Sequence, residues 1–547
     1  MARSSHGNVS WIGLAGLAGL CLLVFGYRLG GPGFWTDESI YAQTAREMAS
    51  GGDFITPTLC GKLYLIKPVL YHWLASASFH LLGENELAGR LPQALAGVVG
   101  VLAVAVFAGR LFGRHAGLLA GAALATSPGY AVGSRVAGMD VLLTAGITLS
   151  LCCFFLSYRE PARRRNWFLA SGFCAGVATL AKGPVGAAVP ALVVLVFLIK
   201  RREIRLAISP PALQGAAAGL LAASLWYLPV WALNGERFTR VFWLENNLAR
   251  ISEPVSDHAG PVTYYVPVFF LAFLPWSFPF ALAAFRSLLR AARRQAAEAD
   301  SAGEFLWSWF LAPFVFYSLI ATKLPGYLLP VFPAAAILVA REWDRYRASL
   351  RGAPDRGFRI VCALGAVSLP GVALAVPFLL QNRYGIPPGR IWLFPALSFL
   401  FAAAAAFSAL TVRGRLRSVW WVAAGGVFVL GLVRFAILPA EPYESMREMT
   451  GRLTALRDAG HPVALAGAHL KGTLFYTGCS VPNPRDINDL PRPGTGSPLF
   501  CLVKERFRPD LEAWASRGRF NLRTVESRGL LSLVEVSRPP AGTGPAP

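Results

Sequence analysis

Between residues 11 and 438 the chain alternates long apolar runs with short polar breaks. Each run approaches the roughly 20 residues that an α-helix needs to cross a bilayer. Thirteen such runs read as spans near 11–27, 86–108, 116–133, 138–157, 166–182, 184–200, 211–233, 263–285, 305–321, 324–340, 358–380, 391–411 and 418–438. Some are separated by only a few residues, which predicts tight helical hairpins. The runs stop after Pro439. There, 444–459 has the spacing of an amphipathic helix, and 462–467, 499–503 and 530–536 have the pattern of strands. Pro539 to Pro547 reads as an unstructured end. The predicted fold is an all-α polytopic membrane protein over residues 1–439. A small α/β domain over 440–547 lies outside the membrane.

Composition agrees. The 547 residues are 54% hydrophobic and only 15% charged, which a soluble chain of this length would not be. The formal charge of +22 invites a nucleic-acid reading, but its distribution argues against one. The arginines sit in short loops that all fall on one side when the spans alternate: Arg110 and Arg114, Arg159 to Arg165, Lys200 to Arg205, Arg286 to Arg294, Arg341 to Arg359, and Arg413 to Arg417. That is the positive-inside pattern, and it puts the N-terminus in the cytoplasm and the C-terminus outside. The first run, from Trp11 to about Tyr27, reads as an uncleaved anchor. Of eight cysteines, Cys60, Cys479 and Cys501 fall in polar stretches. No zinc spacing occurs. A Cys479–Cys501 disulfide is one open pairing.

The opposite side holds two long loops, 28–85 and 234–262, and the tail. The first loop contains Gly33-Phe34-Trp35-Thr36-Asp37-Glu38-Ser39-Ile40-Tyr41. Thr36 can cap a helix that ends at Gly51-Gly52, with Asp37 and Glu38 in its first turn. Complementing the helix dipole is one reading of these acids. Chemistry is the other, because further charges gather at the same face. Lys67, Arg135, Asp140, Lys182 and Lys323 with Tyr327 all lie at outer ends or in outer loops, beside Gly or Pro. Each alone can be a snorkelling or capping group. Together, outer-face cations oppose the positive-inside bias. They suit a phosphate headgroup, and acids beside them suit a base or a metal.

Several stretches carry a family likeness. They are Trp35 to Ala42 with Arg46-Glu47-Met48, Lys67-Pro68-Val69-Leu70-Tyr71-His72-Trp73, Ala88 to Pro92, Arg135 to Asp140, and Ala181-Lys182-Gly183-Pro184. Glu245-Asn246-Asn247, His258 to Pro261 with Tyr264-Tyr265, Leu274-Pro275-Trp276 and Lys323 to Pro330 follow. In this order, over about residues 30–340, they resemble the polyprenyl-phosphate-sugar glycosyltransferases of the membrane-embedded GT-C type. That class includes the protein O-mannosyltransferases and the lipid A aminoarabinose transferases, and the likeness is greatest to the latter. The later spans and the tail match in layout only.

The resemblance implies an inverting transfer, on the outer face of a bacterial inner membrane, from an undecaprenyl phosphate-type carrier. The acceptor would be lipid A, another glycolipid or a glycan. Asp37, with Glu38 beside it, would be the catalytic carboxylate, and Asp140 a second acid. Lys67, Lys182, Lys323 and Tyr327, joined by Arg135, would hold the donor phosphate. Relatives often carry a Glu before the Lys-Pro motif that ligates a divalent metal with a His of the second outer loop. Here that position is Ile66, so His258 is left as a single metal ligand. A protein O-glycosyltransferase of the same family is the nearer alternative. A transporter or flippase of lipid-linked sugars is the more distant one, and it would place charges near the bilayer midplane. The sequence does not set the oligomeric state.

Overall fold

The computed structural model describes residues 9–249, 260–292, 300–349, 356–387, 389–411, 416–467, 470–484, 486–494 and 496–539. Helix occupies every one of the thirteen predicted stretches. Among the described residues, five helices are long and apolar enough to cross a membrane by length and composition: Glu86–Phe112, Asp140–Arg159, Pro210–Leu248, Arg359–Tyr384 and Ser418–Asp458. Several predicted spans are interrupted, among them 116–133, which breaks between Arg114–Ala125 and Pro128–Gly133. The stretch 263–285 is split into Tyr265–Ala272 and Ser277–Ala292 around Pro275, which has no N–H to continue a helical ladder. The stretch 324–340 begins as a 3-10 segment, Pro325–Val331, before the helix Phe332–Ser349.

Small residues let these helices close on one another. The helices Arg164–Lys182 and Pro210–Phe238 meet at Gly172 and Gly215. A Cβ on Gly172 would lie 1.7 Å from the Gly215 carbonyl oxygen, so only glycine allows this approach. Aromatic side chains fill the next layer, with Phe155 stacked on Phe305 at 4.6 Å.

The tail folds as expected and somewhat more fully. Its four-stranded sheet has the order Val463–Ala466, Leu499–Lys504, Leu531–Ser537, Asn521–Arg528. The first pair is parallel and the others are antiparallel. Alternation along the strands sorts the side chains to two faces. Leu465, Leu502 and Leu533 pack under the helix Arg447–Asp458 through Met449 and Leu453. Ala464, Cys501 and Val534 pack against Leu511 and Trp514 of the helix Arg508–Gly518. The stretch 540–547, expected to be unstructured, lies outside the described residues.

The tail docks onto the first loop. The loop helix Thr36–Gly51 runs as predicted and ends at Gly52 in the left-handed region, φ 72°. Its cap is Trp35 rather than Thr36, with the Trp35 N–H donating to Glu38 Oε2 at 3.0 Å. Across from it, Tyr476 accepts from the Phe34 N–H at 2.5 Å and donates to Glu86 at 3.0 Å. Phe475 N–H donates to Ser39 Oγ at 3.0 Å, and its ring lies 4.1 Å from the Arg46 guanidinium. Glu441 accepts from the Gly33 N–H at 2.9 Å.

A disulfide joins Cys60 to Cys479 at this seam. This corrects the open Cys479–Cys501 pairing: Cys501 is a buried free thiol in the sheet interior. Glu47 braces the same place, accepting from Gln43, Thr58, Cys60 N–H and Gly61 N–H. Burial works against its charge, yet the hydrogen bonds from Gln43, Thr58, Gly61 and Cys60 hold its carboxyl below the usual range. Cys60→Ser is expected to cost about 2–4 kcal/mol, the usual worth of a native disulfide. Thermal unfolding with and without reductant checks it: reductant should lower the wild-type midpoint to that of the variant and leave the variant unmoved.

Candidate active site

The loop helix is fixed by a buried ion pair. Arg90, near the start of Glu86–Phe112, grips both oxygens of Glu38 at 2.8 and 2.7 Å, and each partner is 3% exposed. The guanidinium also donates to the carbonyls of Leu29, Pro32 and Gly33. Glu38 accepts in addition from the Ala137 N–H at 2.6 Å. One carboxylate thus ties the loop helix to the segment that precedes Asp140. This revises the place given to Glu38 among the catalytic acids. Its oxygens are already committed to Arg90 and to the Trp35 and Ala137 N–H groups, an arrangement that anchors the loop helix. Asp37, one residue earlier, is exposed at the helix start.

Arg135 is revised as well. It is buried and donates to the carbonyls of Val24, Phe25 and Tyr27, the unpaired end of the helix Trp11–Gly26. A guanidinium spent on a helix C-terminus is not presented to a phosphate.

Asp140, Lys182 and Tyr327 do come together. The Lys182 ammonium is paired with Asp140 and lies 4.5 Å from the centre of the Tyr327 ring. Gly326 lies against the same carboxylate: a Cβ there would be 2.8 Å from Asp140 Oδ2, so a side chain would push the acid away. The Asp140 side chain is 39% exposed and that of Lys182 is 14% exposed, so the pair is open on its acid side. Lys323 is close by but turned to other work. Its ammonium donates to the carbonyls of Tyr317, Ser318 and Ile320 at the end of the helix Ser301–Leu319. Tyr317 links it to the pair, its ring 5.8 Å from that of Tyr327.

Lys67 is half-buried just before the helix Leu70–Leu82. Its neighbours Leu65 and Val69 share one apolar cluster with Met48 of the loop helix and Leu180, two residues before Lys182. The Lys67 stretch, the Asp37 helix and the Lys182 helix therefore close around one place. His258 lies outside the described residues. Ile66 offers no donor atom, so the described residues do not supply the metal pair of the resemblance. Glu47, Cys60 and Cys479 approach one another as metal ligands would, but their sulfurs are joined as a disulfide and the carboxylate is taken up by four hydrogen bonds.

Sequence reading gave Arg90 no separate role. The signal available was an arginine at the outer end of an apolar span, against the positive-inside bias. His72 also went without a separate role. It is fully buried among Tyr41, Tyr64 and Tyr71, with the Pro68 backbone as a polar neighbour that only partly offsets the burial. Burial pushes its pKa down from 6.5 to about 4. Between those values the unfolded chain binds a proton that the native one refuses. Stability should therefore fall as pH drops from 6.5 toward 4, by up to about 3 kcal/mol. His72→Phe should flatten that dependence in denaturant titrations; an equally steep slope in the variant would assign it elsewhere.

Comparison with known proteins agrees with this layout. Residues 66–227 match the family described as dolichyl-phosphate-mannose-protein mannosyltransferase. An uncharacterised protein of Aquifex aeolicus is 32% identical over 322 residues, 58% of this chain and 61% of the relative, so the chain spans about three fifths of that relative. The undecaprenyl phosphate-alpha-4-amino-4-deoxy-L-arabinose arabinosyl transferase of Edwardsiella ictaluri is 29% identical over 445 residues, 78% of this chain and 77% of the relative. The crystal structure of ArnT from Cupriavidus metallidurans bound to undecaprenyl phosphate superposes with a TM-score of 0.75 at 25% identity, covering 95% of this chain and 97% of that one. The polytopic helical body, the small sheet domain and these matches make the chain similar, in fold and in sequence, to the polyprenyl-phosphate-sugar glycosyltransferases of the GT-C type.

Proposed function

We propose that the protein moves a sugar, with inversion, from an undecaprenyl-type phosphate carrier to an outer-face glycolipid or glycan, with lipid A the first acceptor to test. The observation that carries this reading is the Asp140–Lys182 pair beneath Tyr327, held next to the loop that presents Asp37. A departing phosphate gains charge as the glycosidic bond breaks. A cation already desolvated on its far side stabilises that charge more than one in open water. Lys182 would exchange Asp140 for the leaving phosphate, with Lys67 and Tyr327 beside it. Lys323 would act from behind by holding the Tyr317–Tyr327 layer. Asp37 and Asp140 would orient the acceptor and, for a hydroxyl acceptor, take its proton.

The site belongs on the periplasmic side of the inner membrane, with the N-terminus cytoplasmic. Two features support that orientation: the one-sided arginine loops, and a disulfide at the site's edge, which persists in an oxidising compartment.

The test incubates purified protein with a panel of polyprenyl-phosphate sugars and measures release of polyprenyl phosphate, with and without lipid A. Acceptor-dependent release is expected, and Lys182→Met should lower kcat by about 10²-fold or more, the cost of removing one group aimed at developing charge. Movement of intact lipid-linked sugar across liposome bilayers without release would replace transfer with transport.

A further inference from the structure

Arg28 follows the helix Trp11–Gly26, and Arg434 follows the helix Leu416–Leu432. The two arginines are far apart in sequence and lie at the same end of the bundle. Both are exposed, and together they line a notch of about 350 Å³ with Gly31, Pro32, Pro439 and Glu441. Arg28 stands in the left-handed region, φ 51°, where a non-glycine residue is uncommon. Arg434 lies in a π-helical turn, Val433–Ile437, that interrupts the last span. Neither guanidinium has an ion-pair partner among the described residues.

Arginine at the outer end of a span works against the positive-inside bias, and here two such residues converge on one hollow. A guanidinium fork matches phosphate oxygens in geometry and charge. A water takes about 30 Å³, so the notch has room for a phosphate and the first atoms attached to it. Glu441 lines the notch too. One of its oxygens accepts from the Gly33 N–H, so the other is left for a hydroxyl or ammonium of the same headgroup. The floor, Gly31 and Pro32, leads within five residues to Asp37, and Arg90 holds the Pro32 carbonyl at 2.6 Å.

We propose that the Arg28–Arg434 notch is a second phosphate site, separate from the Asp140–Lys182–Tyr327 cluster, that binds the phosphate of an outer-leaflet lipid with hydroxyls on its headgroup. Such a site would hold a lipid upright beside the opening of the reaction site. It does not depend on which sugar is moved, and the assay reads lipid retention rather than transfer. Its failure would leave the transfer reading standing.

The protein, purified in a neutral detergent, is titrated with phosphatidylglycerol, with diacylglycerol lacking the phosphate, and with inorganic phosphate. Retained lipid is counted by native mass spectrometry. Wild type is expected to retain phosphatidylglycerol and not diacylglycerol. The double variant Arg28→Gln, Arg434→Gln should bind phosphatidylglycerol about tenfold or more weakly, as loss of charge-assisted contacts to one phosphate implies. If the double variant does not fold, Arg28→Gln alone carries the test, because Arg28 is an exposed loop residue, and a weaker version of the same loss is expected. Equal retention in wild type and variant would overturn the proposal. So would displacement of the lipid by inorganic phosphate at comparable concentration, which would make the notch a site for a free anion.

Discussion

Asp37→Asn should lower turnover by roughly two to four orders of magnitude while leaving the protein folded. Asp37 is exposed, and among the described residues no hydrogen bond or ion pair of its side chain contributes to the loop helix. Asn keeps the volume and polarity at the first turn and loses only part of the favourable interaction with the helix dipole, well under about 1 kcal/mol at an exposed position. The chemistry is far more sensitive. A positioned base typically contributes 10²–10⁴-fold, so kcat should fall by roughly that factor with a smaller change in KM. The acceptor gives a second readout: the loss in Asp37→Asn should be larger with a hydroxyl acceptor, whose proton must be taken, than with a phosphate acceptor that is already ionised. Turnover equal to wild type would reduce Asp37 to a helix-end residue and shift the acid's role to Asp140.

The largest structural effect is expected at Arg90. Arg90→Leu leaves the Glu38 carboxylate buried with no counter-charge and releases three carbonyls that now have a donor. Breaking one side of a buried pair costs about 3–5 kcal/mol. Arg90→Lys should recover little, because an ammonium cannot reproduce the two-pronged grip on Glu38 while also reaching Leu29, Pro32 and Gly33. The double variant Arg90→Leu, Glu38→Leu should be less damaged than Arg90→Leu alone, since it removes the orphaned charge. Denaturant unfolding in detergent, followed by Trp fluorescence, gives all three values. A loss under about 1 kcal/mol in Arg90→Leu would mean that water reaches Glu38 and that the pair is not the anchor described.

How far the sequence could be read depended on the distance over which each signal acts. The spans were legible because hydrophobic length is local, and the tail's helix and three of its strands were legible through periodicity. Asn521–Arg528 was missed because this edge strand carries Arg523, Glu526 and Arg528, whose polarity hides its alternation. The helix Arg508–Gly518 was missed because it buries only Leu511, Trp514 and Ala515. At the site, sequence found Asp140, Lys182 and Tyr327 through their common exposure to one face, and the structure puts them in contact. It misjudged Glu38 and Arg135 for one reason. A charge at a span end looks the same in sequence whether it meets a ligand or a backbone, and what separates the cases is a partner far along the chain: Arg90 for Glu38, and the end of the first helix for Arg135. The Cys60–Cys479 pairing had no local signal at all, since the two thiols are 419 positions apart in sequence.

The contacts of Phe475, Tyr476 and Glu441 with residues 33 to 46 have a bearing on biogenesis. Helices inserted first by the translocon carry the segment with Asp37, but the groups that brace that segment are synthesised last. A nascent chain released early from the ribosome would sit in the bilayer with its early spans inserted and its reactive loop unsupported. Completion of synthesis and bracing of the first outer loop are thereby coupled, since a product that stops before Glu441 lacks every one of these contacts.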